Sequence, residues 1–123
     1  VIPETYLSIP LSYTFKKILA NFRCSGHNLM IERGRHLKID RGLRYCQYCL
    51  SKNRYTLENE FHFLLVCENY NELRQTYFPH DWKNSDISED LFISIMSDTS
   101  TRNIYALCRF LMAAFELHKL ISV

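Results

Sequence analysis

Apolar residues recur at three- and four-residue spacing along most of this chain, the period of a helix with one buried face. Phe15, Ile18, Leu19 and Phe22 share such a face, with Ser12 placed to cap the helix and Ser25-Gly26 to stop it near Cys24. A shorter helix is predicted at Leu29, Met30 and Ile31, capped by Asn28 and closed by Gly34. Phe61, Leu64 and Leu65 form the next stripe, with Thr56 or Asn59 as its cap. Leu73, Tyr77 and Phe78 follow behind Asn69 and stop at Pro79; residues 81–85 read as a loop. Ile87, Leu91, Phe92, Ile95 and Met96 form a helix started by Ser85 or Asp86. The last stripe contains Ile104, Leu107, Cys108, Leu111, Phe115 and Leu117 behind Thr99-Ser100. It is wide enough for a central core helix. The pattern predicts a mostly α fold, a small bundle of about five or six helices. Its expected core contains Phe22, Leu64, Leu65, Leu91, Ile95, Leu107, Leu111 and Phe115.

The helical period fails over residues 35–58, and candidate chemistry begins there. Residues 35–44 have loop-like composition. Residues 44–50 read as a short hairpin or knuckle, Lys52-Asn53 as a loop tip and Tyr55 as a short returning strand. The string CQYCLSKNRYTLENEFHFLLVC has two residues between Cys46 and Cys49, twelve between Cys49 and His62, and four between His62 and Cys67. Thiolates and imidazole at this spacing are the ligand set of one tetrahedral Zn²⁺, and four protein donors leave no position open for a reacting water. The expectation is one structural zinc, with a zinc lobe at about residues 44–68 and C-terminal helices at about 85–121, in one domain spanning 1–123. Plain buried cysteines, a Cys-x-x-Cys redox pair and disulfides are the competing readings. A redox pair lacks its usual βαβ setting, and five cysteines are an odd number. On an unbroken α-helix His62 and Cys67 would diverge by roughly 140°. Cys67 must therefore lie at or beyond the helix end. Cys24 and Cys108, inside apolar patterns, read as packing residues.

Composition narrows the class. Apolar residues make up 47% of the 123 positions, which disfavours disorder, and three Gly with three Pro disfavour a many-stranded sandwich. The apolar run at residues 104–121 carries Arg109, Glu116 and Lys119 and does not read as a membrane span. A chain beginning at Val1 reads as a piece of a longer polypeptide, and reduced, metal-holding cysteines point to nucleus or cytoplasm. The formal net charge of +2 hides a segregation. Residues 16–54 hold ten basic side chains against Glu32 and Asp40, whereas residues 55–98 hold nine acids against Arg74 and Lys83. A basic run leading into a metal knuckle is the electrostatic footprint of a nucleic-acid partner, RNA or DNA. Arg33, Arg35, His36, Lys38, Arg41, Arg44, Lys52 and Arg54 are the candidate phosphate contacts. Tyr45, Tyr48 and Tyr55 are interleaved with them as stacking surfaces for unpaired bases, or as packing over the lobe. The alternative for the basic half is a solvated face that balances the acidic half.

Three strings together, KKILANFRCSGHNLMIERGRH, RGLRYCQYC and ENEFHFLLVCENYNELRQTYF, resemble the tail that follows the reverse transcriptase domain in LINE-type (non-LTR) retrotransposon polyproteins of invertebrates. The resemblance covers residues 15–78; residues 85–121 match only as two apolar helices. Asn59 stands where an acid is common and Glu68 where Pro often follows the last cysteine. The resemblance implies a zinc element that helps hold template RNA or target DNA. It also implies no catalytic residues in this segment, because the polymerase and endonuclease residues lie upstream. A second class of function stays open: a zinc-stabilised structural or protein-interaction domain, docking on the upstream reverse transcriptase region or adopted by a host.

Overall fold

The computed structural model describes residues 13–23 and 29–121. The readings placed on Ser12, Cys24, Ser25-Gly26 and Asn28 fall outside these residues. Among the described residues the chain forms α1 (Tyr13–Arg23), α2 (Met30–His36), α3 (Gln47–Ser51), α4 (Asn71–Tyr77), α5 (His80–Lys83), α6 (Glu89–Ser97) and α7 (Thr101–His118). Short 3₁₀ turns lie at Arg41–Leu43 and Glu68–Tyr70, and a π-helical turn at His62–Val66. The fold is mostly α, as the spacing predicts, with more and shorter helices than expected. The expected hairpin is reduced to one antiparallel bridge between Tyr45 and Leu57, and Tyr55 is exposed rather than paired in a strand.

The helix α7 is the central strut. Ser100 Oγ accepts from the Asn103 amide and caps it, as predicted. Ile104, Leu107, Cys108, Leu111, Ala114 and His118 recur on its buried face, and α1 and α4 pack against it. The Cys108 thiol is fully buried and reaches the Phe15 carbonyl at 3.7 Å, a packing role. The predicted core is buried at six of its eight positions; Leu91 and Phe115 are only partly covered and pack at its edge. Phe63 sits at the aromatic centre, 4.5 Å from Phe115, 4.7 Å from Tyr70 and 6.1 Å from Phe22 between ring centroids. It anchors the segment that carries His62.

Several local signals resolve differently. Gly34 does not close α2 but lies inside it, buried. A Cβ at Gly34 would meet Arg44 Cγ at 2.5 Å and Cδ at 2.7 Å, so the glycine is there for close approach. The chain turns after α2 at Lys38, whose φ of 60° takes the left-handed conformation. Residues 81–85 are not wholly a loop, because α5 forms one turn there to bury Trp82 against Phe78, 5.2 Å between centroids. Asn69 does not cap α4; it lies in the preceding 3₁₀ turn. The cap of α6 is Ser88, which accepts from the Leu91 amide, and not Ser85 or Asp86. At α6 several short polar residues satisfy the sequence rule equally well, and packing of the apolar residues selects among them.

The close approach at Gly34 gives a test with an unusual sign. A helical Gly→Ala change normally stabilises by about 1 kcal/mol. Here the new methyl would displace an Arg44 side chain held by the Ile39 and Ile31 carbonyls at 3.0 and 2.9 Å. Overpacking of this kind costs about 1–3 kcal/mol. Gly34→Ala should therefore lower the thermal unfolding midpoint by several degrees; a rise would show that Arg44 yields freely.

Candidate metal centre

Cys46 occupies the N-cap position of α3, and its carbonyl accepts from the Leu50 amide at 2.9 Å. The tight turn brings Cys49 back to the same side, and the Cys49 amide hydrogen-bonds the Cys46 sulfur. This is the amide-to-thiolate arrangement expected of a knuckle. Backbone bonds from the Cys46 amide to the Thr56 carbonyl (2.8 Å) and from the Glu58 amide to the Arg44 carbonyl (3.0 Å) fold the returning chain across it. Asn59, one of the two predicted caps, accepts from the His62 amide at 2.9 Å through its side chain.

The next residues solve the phase problem between His62 and Cys67. The Cys67 amide bonds the His62 carbonyl at 2.8 Å, an i→i+5 closure. A π-turn carries five residues in little more than one revolution, so both ligands face the same way. Cys67 then leaves the turn in extended backbone conformation (φ −61°, ψ 126°), at the helix end as the rotation argument requires. Phe63, between them in sequence, points into the aromatic core.

The result is one buried group of four donors, Cys46, Cys49, His62 and Cys67, whose ligand atoms all lie within 4.8 Å of one another. Cys46 Sγ is 3.8 Å from Cys67 Sγ, Cys49 Sγ is 3.9 Å from Cys67 Sγ, and Cys49 Sγ is 3.4 Å from His62 Nε2. A tetrahedron with metal–sulfur bonds of about 2.3 Å and a metal–nitrogen bond of about 2.0 Å has S–S edges of about 3.8 Å and S–N edges of about 3.5 Å. The donors therefore fit one tetrahedral ion. The three cysteines are free thiols, so the disulfide alternative does not describe this structure. Sharing a proton with Cys67, together with burial, pushes the Cys46 thiol far above the ordinary range, and burial raises Cys49 as well. Packed thiolates of this kind need a cation, and a bound divalent ion inverts the penalty.

Arg74, which no pattern singled out, and Glu58, which reads from sequence only as an acid suited to the start of the helix after Thr56, hold the site in place. Arg74 of α4 is buried and donates to the Leu64 carbonyl (2.7 Å), the Cys67 carbonyl (2.7 Å), the Phe63 carbonyl (3.0 Å) and Asn71 Oδ1 (2.7 Å). Burial pulls its pKa down to about 10, which still leaves it cationic at neutral pH. Glu58 is buried beside the knuckle, and its Oε1 accepts from the Met30 amide at 2.7 Å and from His118 Nε2 at 3.1 Å. It thus caps α2 from 28 residues away and ties the end of α7 to the site. No local period marks either residue. The one sequence clue is a basic side chain in an acidic stretch, for Arg74; Glu58 stands among Thr56, Asn59 and Glu60 and has none.

The basic residues divide into two groups. Arg35, His36, Lys38, Arg41 and Lys52 are exposed, although Arg35 pairs with Glu32 at 2.7 Å and Lys52 lies over the Tyr48 ring. Arg33 is half-buried. Arg44 has its Nε and Nη1 committed to backbone carbonyls and pins the 37–43 loop against the ligand-bearing segment. Arg54 forks onto Glu68 at 3.0 and 3.4 Å and also touches the Cys49 thiol, so part of its hydrogen-bonding capacity is spent inside the molecule. Tyr45 and Tyr55 meet edge to face at 5.5 Å, with Tyr55 71% exposed. No described helix is long and apolar enough to cross a membrane. Comparison of the chain with protein-family models, with curated proteins and with solved structures returns no match.

Proposed function

We propose that this segment is a non-catalytic, zinc-bound module that binds RNA or DNA, and that it is the tail of a LINE-type reverse transcriptase. The observation that carries the metal half is the set of three sulfurs and one imidazole nitrogen within 4.8 Å of one another, with edges of 3.8, 3.9 and 3.4 Å that match a tetrahedral ion. Four protein donors suit a structural ion, whereas a catalytic zinc keeps one position for water. Zinc here would fix the knuckle and the turn at His62–Val66 and so present the adjoining basic loop in one conformation.

The nucleic-acid half is supported by the exposed Arg35, His36, Lys38, Arg41 and Lys52, which run along the chain into the ligand-bearing stretch. Such residues bind phosphate, with Arg44 acting from beneath by holding their loop. Tyr55 offers a ring face to an unpaired base, and a base stacked there contributes about 1–3 kcal/mol. Reversal of Arg35 and Arg41 to Glu should weaken binding to every sequence alike, because phosphate contacts carry affinity rather than specificity. Each phosphate that is no longer neutralised should also flatten the slope of log affinity against log salt by roughly 0.7–0.9. Fluorescence anisotropy with single-stranded RNA, single-stranded DNA and duplex at two salt concentrations measures both effects.

A second reading has one observation in its favour. Leu37 and Leu43 are 57% and 54% exposed among these basic residues, and phosphate has no use for them. They suit an apolar, acidic protein surface, for which the upstream reverse transcriptase region is the natural candidate. If the double reversal leaves nucleic-acid affinity unchanged while abolishing association with that region, the interaction-domain reading replaces the first.

A further inference from the structure

We propose that Arg74 is the positioning residue of the metal centre, holding the ligand-bearing turn in its metal-ready shape and offsetting the charge of the thiolates. The proposal rests on the reading that Cys46, Cys49, His62 and Cys67 hold an ion. Arg74 is 7% exposed, and its three backbone partners are the carbonyls of Phe63, Leu64 and Cys67. Phe63 and Leu64 follow His62 directly, and Cys67 is itself a ligand. The guanidinium therefore grips the turn on both sides of the i→i+5 closure that aligns the two ligands. A lysine could not do this, because one ammonium cannot reach three carbonyls and the Asn71 side chain in the plane of a fork.

Charge makes the second half of the argument. None of the four acceptors on Arg74 is a carboxylate. A buried cation with only neutral acceptors is costly unless a counter-charge lies nearby. Three thiolates around one divalent cation leave a net charge of minus one, and Arg74 faces that centre through Cys67. The pair is balanced when the ion is bound. Outer partners of this kind typically change metal affinity by roughly 10–100-fold when removed.

The test compares Arg74→Lys and Arg74→Met with Ile104→Ala. Ile104 is a buried residue 14 positions before His118 on α7, so it lies roughly 20 Å along the helix from the end that meets the site. Zinc affinity is measured by chelator competition, and the coordination by the visible spectrum of the Co²⁺-loaded protein. Both Arg74 variants should lose roughly 10–100-fold in affinity beyond the loss in Ile104→Ala. Their Co²⁺ band should shift, because Cys67 is no longer held. Affinity no lower than that of Ile104→Ala, with the wild-type Co²⁺ spectrum, would overturn the proposal and leave Arg74 a purely structural residue. A wild-type chain that takes up neither ion would instead overturn the metal reading itself. Should the Arg74 variants fail to fold, Asn71→Ala decides. It removes only the side-chain partner of Nη1 and should weaken zinc binding roughly two- to tenfold, whereas unchanged affinity counts against the proposal.

Discussion

Cys46→Ser should release the metal and unfold the segment at 45–67 even though serine fits the space. The free energy of zinc binding at structural sites of this kind is about 10–16 kcal/mol near neutral pH, which exceeds the whole stability of many small domains. Removing one of three thiolates leaves two thiols and an imidazole packed together with no ion to hold them. The π-turn and the short α3 have little else to maintain them, since α3 has five residues and isolated helices of that length are unstable. A chelator strong enough to strip zinc should reproduce the effect in the wild-type chain. Backbone amide hydrogen exchange reports it directly, with residues 45–67 losing protection first. Retained protection there, in a chain shown to be metal-free, would mean that the fold does not depend on the ion.

Glu58→Leu should be the second most damaging change. Its carboxylate joins three parts of the molecule, the first amide of α2, His118 at the end of α7, and the chain returning from the knuckle. Leucine preserves the bulk but takes the carboxylate acceptor away from the Met30 amide and from His118 Nε2, in a site where Glu58 is 1% exposed. Each buried hydrogen bond broken in this way costs about 1–3 kcal/mol, so the loss of two should total about 2–6 kcal/mol. Glu58→Gln keeps a carbonyl oxygen for the Met30 amide and should cost much less. Urea unfolding of the metal-loaded variants measures the difference. Equal stability of the two variants would show that the hydrogen bonds to Glu58 contribute nothing.

The ligand set and the long helices were legible in the sequence because each depends on a local rule. Cys46, Cys49, His62 and Cys67 are recognisable by chemistry and spacing alone, and the structure brings their ligand atoms within 4.8 Å of one another. The stripe of α7 and its Ser100 cap follow from a period of 3.6 and a short polar side chain. Gly34 shows where such rules stop. Its composition reads as a helix stop, yet its position answers to Arg44, ten residues away. Apart from Asn71, the partners of Arg74 and Glu58 lie 7 to 60 residues distant and leave no periodic trace. The π-turn was legible only as a contradiction, since an α-helix cannot put His62 and Cys67 on one face. The means of resolving it, an i→i+5 closure gripped by Arg74, lies in tertiary packing.

The same division applies to the surface. Charge segregation was visible from the count of basic side chains at residues 16–54. Which of them are spent internally was not, because Arg44 and Arg54 differ from Arg35 and Arg41 only in what surrounds them. Of the two charge reversals aimed at binding, Arg41→Glu involves fold stability least, whereas Arg35→Glu also breaks the pair with the buried Glu32.

The most direct test of the metal centre is elemental analysis of the protein purified without added metal, combined with X-ray absorption at the zinc edge. The account predicts one zinc per chain, with three sulfur neighbours at about 2.3 Å and one nitrogen at about 2.0 Å. A folded protein that contains no metal, or a zinc shell with oxygen in place of one of the three sulfurs, would contradict it.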